Sequence, residues 1–201
     1  APRLLVARGP AGGPLFALPR EIVLLLAALS AVMFLVEGAL LDWGALLLTV
    51  RGLTAEAQAG LGYTVFSIAM TIGRLTGDAV TVRFGDRAVL TWGGVAAVVG
   101  LAALQVAPHP AAALASFGLI GLGAANLVPI LFRRAGDQTV MPPGLAVTAI
   151  ASLGYAGILL GPAAIGFVAG ASSLPVAFWL LAGLTTLVPL CARAVTGSGR
   201  G

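Results

Sequence analysis

The chain has 201 residues, of which 59% are hydrophobic and 9% charged, and its mean hydropathy is +1.06. A soluble domain carries about 25% charged residues, so this chain has too few polar side chains to cover a water-facing surface. The formal net charge is +4 and every basic residue is an arginine, but the arginines sit in short gaps between apolar runs, which argues against nucleic acid as a partner.

Residues 1–20 are rich in Pro, Gly and Arg and lack an apolar core of signal-peptide length. They are expected to be a cytoplasmic linker, which makes the chain the later part of something longer. Six apolar runs follow, over roughly 22–50, 59–80, 88–107, 111–132, 145–170 and 174–192. Each suits a helix crossing a hydrocarbon core about 30 Å thick, which takes about 20 residues. Barrel strands alternate over about ten residues, and these runs are longer and uniformly apolar. The expected fold is all-α: a six-helix transmembrane bundle over 21–193, with a cytoplasmic tail at 194–201. The stretch G-R-L-T-G-D-A-V-T-V-R-F-G-D-R, Gly73 to Arg87, joins the second and third runs and places glycines and charges where the chain leaves the bilayer.

The arginines set the orientation. With a cytoplasmic N-terminus, Arg3, Arg8, Arg20, Arg83, Arg87, Arg133, Arg134, Arg193 and Arg200 lie inside, Arg51 lies outside, and Arg74 lies within a run. Both termini are then cytoplasmic.

Few polar groups fall inside the runs. Glu37 lies sixteen residues after Glu21, about 24 Å along a helix. Charge at that depth costs at least about 2.5 kcal/mol, so Glu37 is expected to open onto a passage and carry a proton. The bland alternative is a neutral carboxyl bonded to a neighbouring helix. Asp42 lies about 140° around the helix from Glu37. With Trp43 it marks either the outer rim or the substrate path. Arg74 and Asp78 have i, i+4 spacing and can pair, either fixing the turn or latching a gate. Gly73 and Gly77 form a small-xxx-small face for close helix approach. Asn126 and Pro129 bring an amide and a freed carbonyl to the fourth run, for substrate, hinge or helix contact. Gly157, Gly161, Pro162 and Gly166 are expected to give packing and a kink. Tyr63, Phe66 and Tyr155 either line a cavity or pack. His109 lies between Pro108 and Pro110, and Cys191 is alone, so no metal site, internal disulfide or cofactor is expected.

The pattern resembles the C-terminal six-helix half of a major facilitator superfamily transporter. Gly73, Arg74, Gly77, Asp78, Arg83, Gly85 and Arg87 are similar to the family's cytoplasmic loop signature. Val82 and Asp86 depart from it. G-I-L-L-G-P-A-A-I-G, Gly157 to Gly166, is similar to the family's Gly-Pro signature. E-G-x-x-x-D-W (Glu37, Gly38, Asp42, Trp43) and G-x-x-N-x-x-P (Gly123, Asn126, Pro129) resemble a bacterial branch loosely related to sugar permeases. The resemblance implies two three-helix repeats and a missing N-terminal six-helix half. It also implies a bacterial inner-membrane location and alternating access around a midplane site for a small-molecule substrate. Arg74, Asp78 and Arg83, with Gly73, Gly77 and Arg87, would form the cytoplasmic gate. Glu37, Asp42, Trp43, Asn126, Pro129 and Tyr155 would line the pathway, with proton coupling through Glu37.

Two rival expectations stand beside this one. A rhomboid-like intramembrane enzyme fits the size, but there is no G-x-S-x-G site and His109 lies in a loop. A half transporter that pairs with its own copy, or a transport-dead sensor, is the other. No G-x-x-x-x-G-K-[ST] motif and no lysine occur, so energy would come from a gradient.

Overall fold

The computed structural model describes residues 21–197; the expected linker 1–20 and the last four residues of the expected tail lie outside the described residues. What is described is all-helical: α1 (Ile22–Val50), α2 (Leu61–Val106), α3 (Pro110–Ala124), α4 (Leu127–Asp137), α5 (Pro143–Ala171), α6 (Leu174–Thr185) and α7 (Leu187–Gly197). A short 3₁₀ turn, Glu56–Gln58, precedes α2. With α3–α4 and α6–α7 each taken as one segment, five helical segments are long and apolar enough to cross a membrane.

The difference from six expected runs lies in α2. The second and third runs form one continuous 46-residue element made of two helical arms. Gly73 and Gly77 do not break it. Only Gly85 leaves helical geometry, with φ 78° and ψ 155°, a region that essentially only glycine occupies. The chain reverses there. Before Gly85 the helix runs parallel to α3–α4, with Gly62 against Phe117 and Gly73 against Ala125; after it the direction is opposite, with Gly93 against Gly123 and Gly100 against Ile120. The two arms therefore embrace α3.

Small residues set these contacts. A Cβ on Gly93 would lie 2.6 Å from the Gly123 carbonyl, and one on Gly123 would lie 2.6 Å from that of Gly93. In lipid no hydrophobic force drives helices together, so close backbone approach supplies the packing. Fully buried Phe66, Phe117 and Phe178 fill the spaces between helices.

The expected fourth and sixth runs are each interrupted in the same way. Asn126-Leu-Val-Pro129 ends α3 and begins α4; Thr186-Leu-Val-Pro189 ends α6 and begins α7. In both, proline occupies the third helical position, where its missing N–H is one of the donors a helix start leaves unpaired. Pro189 then packs onto the second arm of α2, where a Cβ on Gly94 would lie 2.7 Å from its Cδ. Other helix starts also use sequence-encoded caps. His109 Nδ1 accepts from the Ala112 N–H at 3.2 Å with Pro110 opening α3, and Ser173 Oγ accepts from the Val176 N–H.

Candidate functional site

Asn126 joins the interrupted α3–α4 segment to the first arm of α2. Its Nδ2 donates to the Gly73 carbonyl at 3.0 Å. A Cβ on Gly77 would collide with Asn126 Oδ1 and stand 2.7 Å from Cγ, while one on Gly73 would stand 2.6 Å from the Ala125 Cβ. Gly73 and Gly77 are thus the socket into which Ala125 and Asn126 fit. Pro129 is exposed one turn further on; its missing N–H coincides with the break at Ala125.

A second constellation lies between α1 and α5, which run parallel. Trp43 Nε1 donates to the Pro162 carbonyl at 3.2 Å, and its ring edge lies over Gly166, where a Cβ would be 3.0 Å away. Gly157 touches the Ala31 backbone, Gly161 touches Leu35, and Gly38 faces Ile158, whose carbonyl Pro162 leaves free. Phe34 stacks on Tyr155 with ring centroids 5.6 Å apart. Tyr63 meets Phe66 at 5.5 Å. Glu37, half-buried, sits three residues from Phe34 on the same helix, and Asp42 is exposed. Neither makes a hydrogen bond or ion pair among the described residues.

At the arginine-rich end, the charges arrange themselves differently from the expected Arg74–Asp78 pair. Both of those side chains are exposed and no ion pair joins them. The ion pairs among the described residues belong to Asp86, which accepts from Arg133 and, at 2.7 Å, from Arg134. This cluster ties the Gly85 bend to the end of α4. Asp86 stands out in the sequence only as a departure from the loop signature. The usable signal was opposite charge at two run ends on the same side. Arg83 lies over the Phe84 ring at 5.5 Å, and Arg87 is exposed. At the opposite end, Arg51 donates to the Leu104 carbonyl and, at 3.1 Å, to that of Ala107, satisfying the last carbonyls of α2.

An apolar cavity of about 420 Å³ opens between the arms of α2 and α3, bounded by Phe84, Trp92, Leu122 and Asn126. No group of three or more His, Cys, Asp or Glu side chains able to hold a metal occurs among the described residues. His109 is occupied as a helix cap, and Cys191 is a half-buried free thiol.

Long apolar helices, glycine seams and part-buried interhelical polar contacts define the class: a multi-pass α-helical membrane protein. No family model matches the chain. Over 187 residues it is 50% identical to a Yersinia pestis protein named as an uncharacterised MFS-type transporter, covering 93% of this chain and 49% of that protein. Over 175 residues it is 34% identical to an uncharacterised transporter of Sinorhizobium fredii, covering 87% and 46%. Over 152 residues it is 35% identical to the membrane protein MosC of Rhizobium meliloti, covering 76% and 37%. These likenesses support the MFS-type transporter family and a role in membrane transport. The chain spans about half the length of the first two of these relatives.

Proposed function

We propose that the chain is the C-terminal half of a secondary transporter that moves a small solute by alternating access across a bacterial inner membrane. The two arms of α2 act as separate spans, giving six in two repeats of three, with both termini cytoplasmic. The observation that carries this reading is a polar stripe on the first arm of α2. Thr64, Ser67, Thr71, Arg74 and Asp78 recur at helical spacing, and none is buried within the bundle. Facing lipid, such a stripe is costly; facing a water-filled passage against a second bundle, it is not. The length of the relatives supports a second, N-terminal half as that partner.

In this scheme Glu37 carries the coupled proton, and Asp42, Trp43, Asn126, Pro129 and Tyr155 border the solute path. Arg74, Asp78, Arg83 and Arg87, on the helix that Gly73 and Gly77 seat, work with the Asp86 cluster as the cytoplasmic gate. The test is uptake by the full-length transporter in proteoliposomes under an imposed proton gradient, after a ligand panel has found a solute. Glu37→Gln should abolish gradient-driven uptake while leaving solute exchange at equal pH. Unchanged gradient-driven uptake at equal protein level removes Glu37 from the coupling step.

A further inference from the structure

A seam between the second arm of α2 and α7 carries two features beside the proposed gate that solute movement leaves unexplained. At the arginine-rich end it holds a polar pocket of about 480 Å³, lined by Asp86, Arg87, Arg134, Arg193 and Thr196. Along the same two helices it continues as an apolar groove of about 380 Å³, lined by Thr91, Val95, Val99, Thr186 and Leu190. The two are in register. Arg87, Thr91, Val95 and Val99 follow one another at four-residue spacing on one face of α2. Arg193 and Leu190 lie three residues apart on α7, and Thr186, four residues before Leu190, ends α6 at the break that opens α7.

We propose that this seam binds one anionic phospholipid, its phosphate held by Arg87 and Arg193 and an acyl chain lying in the groove. Charge supports the headgroup position. Asp86 is already held by Arg133 and Arg134, so Arg87 and Arg193 have no carboxylate partner among the described residues. Basic pockets between helices at a membrane surface are suited to anionic headgroups. Length supports the chain position. From Arg87 to Val99 is about 18 Å of helix, close to half of a hydrocarbon core about 30 Å thick. No charged residue interrupts either wall between Thr91 and Val99 or between Thr186 and Ala192. A free anion would fill the pocket and leave the groove empty. A zwitterionic lipid would bring its own cation against the arginines.

The full-length transporter in detergent, studied by native mass spectrometry, tests this with four probes: dioleoyl phosphatidylglycerol, dioleoyl phosphatidylcholine, dihexanoyl phosphatidylglycerol and inorganic phosphate. The unmodified protein should retain the first far better than the other three. Arg87→Gln with Arg193→Gln should weaken that retention about 30-fold, from about fivefold per arginine near a charged surface. Val95→Trp fills the groove without touching the arginines and should also expel the long-chain lipid. Equal retention of the two dioleoyl lipids by the unmodified protein overturns the proposal, and that comparison needs no variant to fold. Dihexanoyl lipid or phosphate binding as well as the dioleoyl lipid makes the pocket an anion site instead and also overturns it. So does undiminished phosphatidylglycerol retention in the double variant.

Discussion

Replacing Gly77 by alanine adds one methyl group against the Asn126 amide. That methyl would collide with Asn126 Oδ1 and stand 2.7 Å from Cγ, so the Asn126 side chain must swing away. Swinging away breaks its 3.0 Å bond to the Gly73 carbonyl. An interhelical hydrogen bond in a membrane protein is worth about 0.6 kcal/mol on average and up to about 2, and forcing extra carbon into a packed site costs about 1–3 kcal/mol. Alanine returns up to about 1 kcal/mol of helix propensity over glycine. The net loss is therefore about 1–4 kcal/mol. A double-mutant cycle isolates the cause. With Asn126→Ala in place the obstruction is gone, and Gly77→Ala should become neutral or mildly stabilising. The assay is equilibrium unfolding of the full-length protein in mixed micelles for wild type, both single variants and the double variant. A coupling of about 1–3 kcal/mol is the range for residues in contact. If Gly77→Ala costs the same in both backgrounds, within about 0.5 kcal/mol, Asn126 is not what the glycine accommodates.

Further expectations test other contacts. A methyl group added at Gly85 or at Gly136 would meet open space, but only Gly85 has a positive φ. Gly85→Ala should therefore destabilise by about 1–3 kcal/mol, whereas Gly136→Ala should be neutral or stabilising; equal effects in thermal melts would locate the cost elsewhere than the backbone. Trp43→Phe keeps the ring over Gly166 but loses the bond to the Pro162 carbonyl, for about 1 kcal/mol. Gly166→Leu removes the space itself and should cost more; the reverse order in unfolding assays would mean the ring does not sit there. Asp86→Asn leaves Arg133 and Arg134 unpaired, but Arg133 is 44% exposed and Arg134 27%. The stability loss should stay below about 1 kcal/mol and shrink in high salt. A large, salt-insensitive loss would make the cluster a structural strut.

Much of the architecture follows from one-dimensional information. Long apolar segments can satisfy their backbone groups in lipid only as helices, so the all-helical class depends on composition and length alone. Trp43, Pro162, Gly157 and Gly166 were each visible as special residues. Their partnership was not, because Trp43 and Pro162 are 119 positions apart and nothing in local spacing pairs them. The Gly73–Gly77 face announced close approach by a helix without naming Ala125 and Asn126 as its occupants. Asp86 was the opposite case. It was visible only as a deviation, yet it gathers the two arginines that close the end of α4.

Helical periodicity and burial cost act within a single segment, so a lone chain of letters suffices to read the bilayer habit, the all-α class and the rarity of ionisable groups. Which glycine turns the chain is another matter. Gly73, Gly77 and Gly85 are chemically identical, and a helix tolerates each of them. Packing separates them: two are held helical by the side chains seated against them, and the third, with open space around it, takes the positive φ. Charge pairing is settled in the same way, since Arg74 and Asp78 are close in sequence yet do not pair, whereas Asp86 meets Arg133 and Arg134 only because the arms of α2 close around α3.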